Sequence, residues 1–87
     1  MNTTTIVNLI PTDSHKSFYG KAQVITSGGT VYLKSYDTIV AKICGNEFFR
    51  TWGGWSATTA RHVNSFRNVY GFPSISKAEW VKMPVAD

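Results

Sequence analysis

The chain has a single cysteine, Cys44, among its 87 residues, so no intrachain disulfide can form. With only two histidines besides, it lacks the Cys/His cluster that holds a structural zinc, and no cofactor-binding motif is present. A lone thiol points to a reducing compartment. Acidic side chains are scarce: Asp13, Asp37, Glu47, Glu79 and Asp87 stand apart, mostly in expected turns or near the ends. That spread offers no carboxylate pair for general acid/base work, and a non-enzymatic protein is expected. Long apolar runs are missing too, and nothing approaches the roughly 20 residues of a membrane span. The segment Met1 to Ile10 has neither a basic stretch nor the apolar core of a signal peptide, so a cytoplasmic protein without membrane partners is expected. No repeat and no low-complexity stretch occurs.

What is present is apolar and aromatic. Hydrophobic residues make up 43% of the sequence and aromatic ones 14%, enough to offset the conformational entropy lost on ordering. The length suits one core, so residues 1–87 are expected to form a single domain. Net charge is +4, which draws polyanions by long-range attraction, although the nine cationic side chains never form a run of five or more. A solvated basic surface accounts for that charge equally well.

Glycine and proline divide the chain into short elements. Ile6 to Ile10 reads as a strand ended by Pro11. Lys21 to Thr26 and Thr30 to Tyr36 flank Ser27-Gly28-Gly29, a hairpin signal, and Thr38 to Cys44 and Glu47 to Trp52 flank Gly45-Asn46, a second one. After Trp55 the period changes: Ala57, Ala60, Val63, Phe66 and Tyr70 recur at helical spacing, with Arg61, His62, Asn64, Ser65, Arg67 and Asn68 on the other face. Ser56 or Thr58 can cap this helix, and Gly71 with Pro73 stops it. Ser76-Lys77-Ala78-Glu79 fits a capping box that would start a last turn over Lys77 to Lys82 and lay Trp80 on the core. The fold expected is α+β, a small antiparallel sheet of four to five strands against one amphipathic helix with a short final helical turn.

Three regions carry candidate binding residues. Strand alternation places Tyr32, Lys34 and Tyr36 on one face and Phe48, Arg50 and Trp52 on one face, so rings and cations interleave. Such a surface can stack single-stranded bases; an antiparallel sheet with one wet face has the same pattern without a ligand, and Phe49 can replace Phe48 as the outward ring. The stretch Lys16, Phe18, Tyr19, Lys21 suits a binding loop, or else a plug of Phe18 and Tyr19 on the core with the lysines in water. At the helix start, Ser56, Thr58 and Thr59 could bind an anion with Arg61 and His62 nearby, with Arg67 further along the polar face; capping is the simpler account. His62 is expected at the surface, and Cys44 as a small apolar side chain rather than a nucleophile.

The blocks Lys16-Ser17-Phe18-Tyr19-Gly20-Lys21-Ala22, Tyr36-Asp37-Thr38-Ile39-Val40-Ala41, Trp55-Ser56-Ala57-Thr58-Thr59-Ala60-Arg61-His62-Val63-Asn64 and Lys77-Ala78-Glu79-Trp80 resemble, in order and spacing, a family of small uncharacterised proteins from phages and mobile elements of Gram-positive bacteria. That family is catalogued as a domain of unknown function. The resemblance covers nearly the whole chain and implies an accessory protein acting in the host cytoplasm, with no activity attached. Two partner classes are expected, the first from the net positive charge and the interleaved rings and cations, the second from the resemblance alone. One is nucleic acid on the basic, aromatic sheet face; the other is a host protein, such as a defence complex, anchored on Trp52, Trp55 or Tyr70. A small hydrolase or nuclease using His62 with Thr58 or Thr59 is a distant third, lacking a metal-binding acid cluster and an orienting partner for the base. Exposed strand edges could also join two copies as a homodimer.

Overall fold

The computed structural model describes residues 4–13, 18 and 20–86. Five strands form one antiparallel sheet in the order of the chain: β1 (Thr5–Asn8), β2 (Ala22–Ser27), β3 (Thr30–Ser35), β4 (Thr38–Cys44) and β5 (Glu47–Arg50). Two helices follow, α1 (Ala57–Val69) and α2 (Lys77–Lys82). The expected α+β class is what the chain adopts.

Local chemistry explains the turns. Gly28 and Gly29 both take positive φ, 60° and 83°, the pair of angles that matches a two-residue hairpin to the right-handed twist of its strands. Gly45-Asn46 closes β4 on β5 so that Cys44 faces Glu47 and Lys42 faces Phe49. Between β3 and β4 the turn is Tyr36-Asp37, with Tyr36 at a φ of 54° despite its side chain. No glycine announces this turn, and strand β3 accordingly ends at Ser35, before the expected Tyr36.

One irregularity decides which residues face the core. The pairing of β3 with β4 shifts between Leu33 and Lys34, so that Leu33 faces Ala41 while Lys34 faces Ile39. The extra residue is Val40, and a bulge of this kind turns two consecutive side chains to one side. Val40 and Ala41 are both buried, and Ile39 is left on the opposite face beside Lys34.

Helix α1 begins at Ser56, whose hydroxyl accepts the Thr59 amide. It ends in a reciprocal pair of backbone bonds, Gly71 N–H to Asn68 O at 3.1 Å and Phe72 N–H to Arg67 O at 2.8 Å, with Gly71 in the left-handed region. Helix α2 starts on the expected capping box, Ser76 with Glu79. Both helices cover the same side of the sheet. There Leu33, Val63, Phe66 and Trp80 have no accessible surface, and each such side chain contributes roughly 1.5–3 kcal/mol by burial.

The buried stripe of α1 differs from the one its apolar residues suggest. Thr59, His62, Val63, Ser65, Phe66 and Arg67 are buried, whereas Ala60 is only half-buried and Tyr70 is exposed. The stripe is broad because α1 is contacted on its flank as well as beneath: Thr12 N–H donates to Ser65 Oγ at 3.0 Å and Thr12 Oγ1 to Asn68 Oδ1 at 2.8 Å.

Candidate functional site

The covered face takes most of the cations and rings that the strand pattern assigned to a ligand. Arg50 pairs with Ala41 on the core side and is 7% exposed. Its guanidinium is committed to four carbonyls: Nε donates to Trp52 O at 2.9 Å, Nη1 to Trp80 O at 3.1 Å and Met83 O at 2.9 Å, and Nη2 to Gly53 O at 2.7 Å. Arg50 is thus a structural clamp and not a surface cation, because loop 52–54 and the end of α2 close over it. Phe48, Trp52 and Trp55 pack against the core beside it, so neither Trp52 nor Trp55 stands out as an anchor. Trp80 Nε1 donates to Gly54 O at 2.7 Å, and the Trp55 ring lies 5.6 Å from that of Trp80.

The helix residues are likewise drawn inward. Arg67 is buried between the rings of Phe48 and Phe72, 4.5 and 5.2 Å from their centroids, and its Nε donates to Pro73 O at 2.8 Å. Burial lowers its pKa, partly opposed by Glu79. His62, expected at the surface, is 1% exposed. Its Nδ1 shares a 2.8 Å hydrogen bond with Ser35 Oγ, itself 3.4 Å from Thr59 Oγ1, and its ring meets Phe18 edge-on at 4.5 Å. Burial first, and the Arg61 charge second, hold the imidazole below its ordinary pKa of 6.5. Thr59 is buried in this cluster, Thr58 is half-buried, and Ser56 serves as the cap. Arg61 lies at the rim, paired with Asp13 at 3.3 Å and placed over the Phe18 ring.

Of the loop, Phe18 is 5% exposed and belongs to the core, while Lys16 and Tyr19 lie outside the described residues. Lys21 is exposed, its ammonium 5.8 Å from the Tyr36 ring. Tyr36 itself has left the strand: from its turn it leans toward His62, with ring centroids 5.8 Å apart. It does not share the face of Tyr32 and Lys34.

Tyr32 and Lys34 do project from the side of the sheet opposite the helices, joined by Phe49, the alternative outward ring, and by Lys42, which the strand pattern did not single out. The register aligns Ile6 with Ile25, Ile25 with Tyr32, Tyr32 with Lys42, and Lys42 with Phe49. These five side chains form one row across all five strands. Lys42 stands on the strand between the two aromatics of the row, and its ammonium lies 5.7 Å from the centre of the Phe49 ring. A second row, Asn8, Gln23, Lys34 and Ile39, runs beside it. None of the described helical residues covers this side. Among the described residues its acidic group is Glu47, next to the β4–β5 turn, while Tyr32, Lys34 and Lys42 stand on the inner strands β3 and β4 and Phe49 on the edge strand β5. The pairing of Lys42 with Phe49 is implied by the Gly45-Asn46 turn alone, but its alignment with Tyr32 also needs the Tyr36 turn and the Val40 bulge.

Elsewhere, Thr12, Asp13, Ala60, Arg61, Asn64, Ser65, Asn68 and Ser74 line a cleft of about 340 Å³ along α1. Much of its polar lining is engaged internally: the Asn64 amide donates to Ile75 O and accepts from Ile75 N–H. Among the described residues no group of three His, Cys, Asp or Glu side chains converges as metal ligands would, and no helix is long and apolar enough to cross a membrane. Comparison with curated proteins and with solved structures gives no match. The sequence of residues 5–82 matches a family of unknown function, DUF8033, and since that span is nearly the whole chain, the protein belongs to this family.

Proposed function

We propose that the protein is a non-enzymatic binding module that holds nucleic acid on the helix-free face of its sheet. The supporting observation is the row in which Tyr32, Lys42 and Phe49 stand side by side, with Lys34 in the adjacent row, on a chain of net charge +4. Rings give flat surfaces for bases and ammonium groups attract phosphates, and the two kinds of contact add without demanding a particular sequence. A role as an accessory protein of a mobile genome, in the cytoplasm of its host, rests on the resemblance of the four sequence blocks.

The test is oligonucleotide binding over a salt series with the wild type and the Lys34→Ala/Lys42→Ala double variant. Removing two ammonium groups that each neutralise a phosphate of a single strand should flatten the slope of log K against log salt by about 1.4. Both lysines project from the uncovered side, so the variant should keep its fold. Absence of binding at low salt, or binding indifferent to salt, removes the reading.

The same face carries Ile6, 58% exposed, and Ile39, 37% exposed, which favours a second reading as a host-protein modulator. Capture from host lysate with and without nuclease separates them: a specific partner that survives nuclease and is lost in a Tyr32/Phe49 double variant assigns the face to protein.

A further inference from the structure

Resting on that reading, we infer that the occupant is a single strand laid across the β-strands, with bases stacked on Tyr32 and Phe49 and the intervening backbone phosphate at the Lys42 ammonium. The order of the row carries this. Tyr32 on β3, Lys42 on β4 and Phe49 on β5 are cross-strand neighbours in succession, so the two rings sit two strand spacings apart, about 10 Å, with Lys42 rooted on the strand between them and its ammonium 5.7 Å from the Phe49 ring. A polynucleotide alternates the same two chemistries, flat bases joined by charged linkers.

Strand state follows from which surfaces a nucleic acid leaves open. In a duplex the faces of the bases are taken by their neighbours, and the rings of Tyr32 and Phe49 have nothing to stack on. A duplex also meets proteins through elements that enter a groove, whereas this face is a sheet surface flanked by turns. A single strand frees one base face at each step, and each stacking contact is strong and tolerant of sequence. The adjacent row adds the amides of Asn8 and Gln23 beside Lys34, groups that can donate to and accept from the edges of splayed bases. Ile6 and Ile25 continue the stacking row as an apolar shelf toward β1.

The experiment measures fluorescence anisotropy of a labelled oligothymidine and an oligouridine of about ten nucleotides, a length within single-domain site sizes, each also offered as a duplex competitor. Tyr32→Leu and Phe49→Leu keep apolar bulk and remove the ring; each should weaken single-strand binding about 5- to 150-fold at unchanged salt slope. Tyr32→Phe retains the ring and should restore most of that loss. Lys42→Gln should instead flatten the slope by about 0.7. Thermal melts of each variant report that the fold is kept. Duplex bound as tightly as single strand, with Tyr32→Leu silent, overturns the inference while the nucleic-acid reading stands. Absence of binding by either form at low salt overturns both.

Discussion

The guanidinium of Arg50 lies over the indole of Trp80, 5.2 Å from the ring, while its Nη1 donates to the Trp80 carbonyl at 3.1 Å. One side chain on β5 therefore holds both the ring and the backbone of α2. Lysine cannot reproduce this planar fork of donors. Arg50→Lys is expected to leave buried carbonyls of Trp52, Gly53, Trp80 or Met83 without partners and to cost about 2–4 kcal/mol. Urea denaturation measures it; a midpoint within error of the wild type would show that the clamp contributes nothing.

His62 makes folding sensitive to pH. Burial and the neighbouring Arg61 lower its folded pKa below 6.5, so between the folded value and 6.5 the unfolded chain binds more protons. The contribution is fully present above pH 6.5 and is lost as pH falls toward the folded pKa, with a slope no steeper than about 1.4 kcal/mol per pH unit. His62→Gln keeps an acceptor for Ser35 and cannot titrate. Unfolding free energies at a series of pH values from neutral to mildly acidic should fall more steeply for the wild type; parallel curves would discard the assignment.

Gly54 has a steric reason to be glycine. A Cβ there would stand 2.7 Å from Cη2 and 2.8 Å from Cε2 of Trp52, and the Gly54 carbonyl is the acceptor of the Trp80 indole N–H. Gly54→Ala must push the Trp52 ring away or move the loop, at a cost of about 1–3 kcal/mol. Thermal melting with a blue- or red-shift of tryptophan emission detects it, and an unchanged melting temperature would mean the loop yields freely.

Where the sequence was legible, a local signal was sufficient. Gly28-Gly29 and Gly45-Asn46 announce their turns, Ser76 and Glu79 announce α2, and Gly71 ends α1. Facing was harder. In Glu47-Phe48-Phe49-Arg50 either parity offers an aromatic, and only the tertiary cover of loop 52–54 and α2 turns Phe48 and Arg50 inward and Phe49 outward. His62 and Arg67 read as polar-face residues because their burial depends on non-local partners, Ser35 and Phe18 for one and Phe48 and Phe72 for the other. Tyr36 departs from Tyr32 and Lys34 because a non-glycine residue takes a left-handed turn, which composition does not signal.

Phe49 and Arg50 are joined by one peptide bond and point to opposite sides of the sheet. Whatever leans on the outer ring is resisted on the inner side by a residue fastened to four backbone oxygens. The edge of the sheet therefore behaves as a riveted plate: loosening the rivet from behind, by fraying α2, would slacken Phe49 in front without touching it.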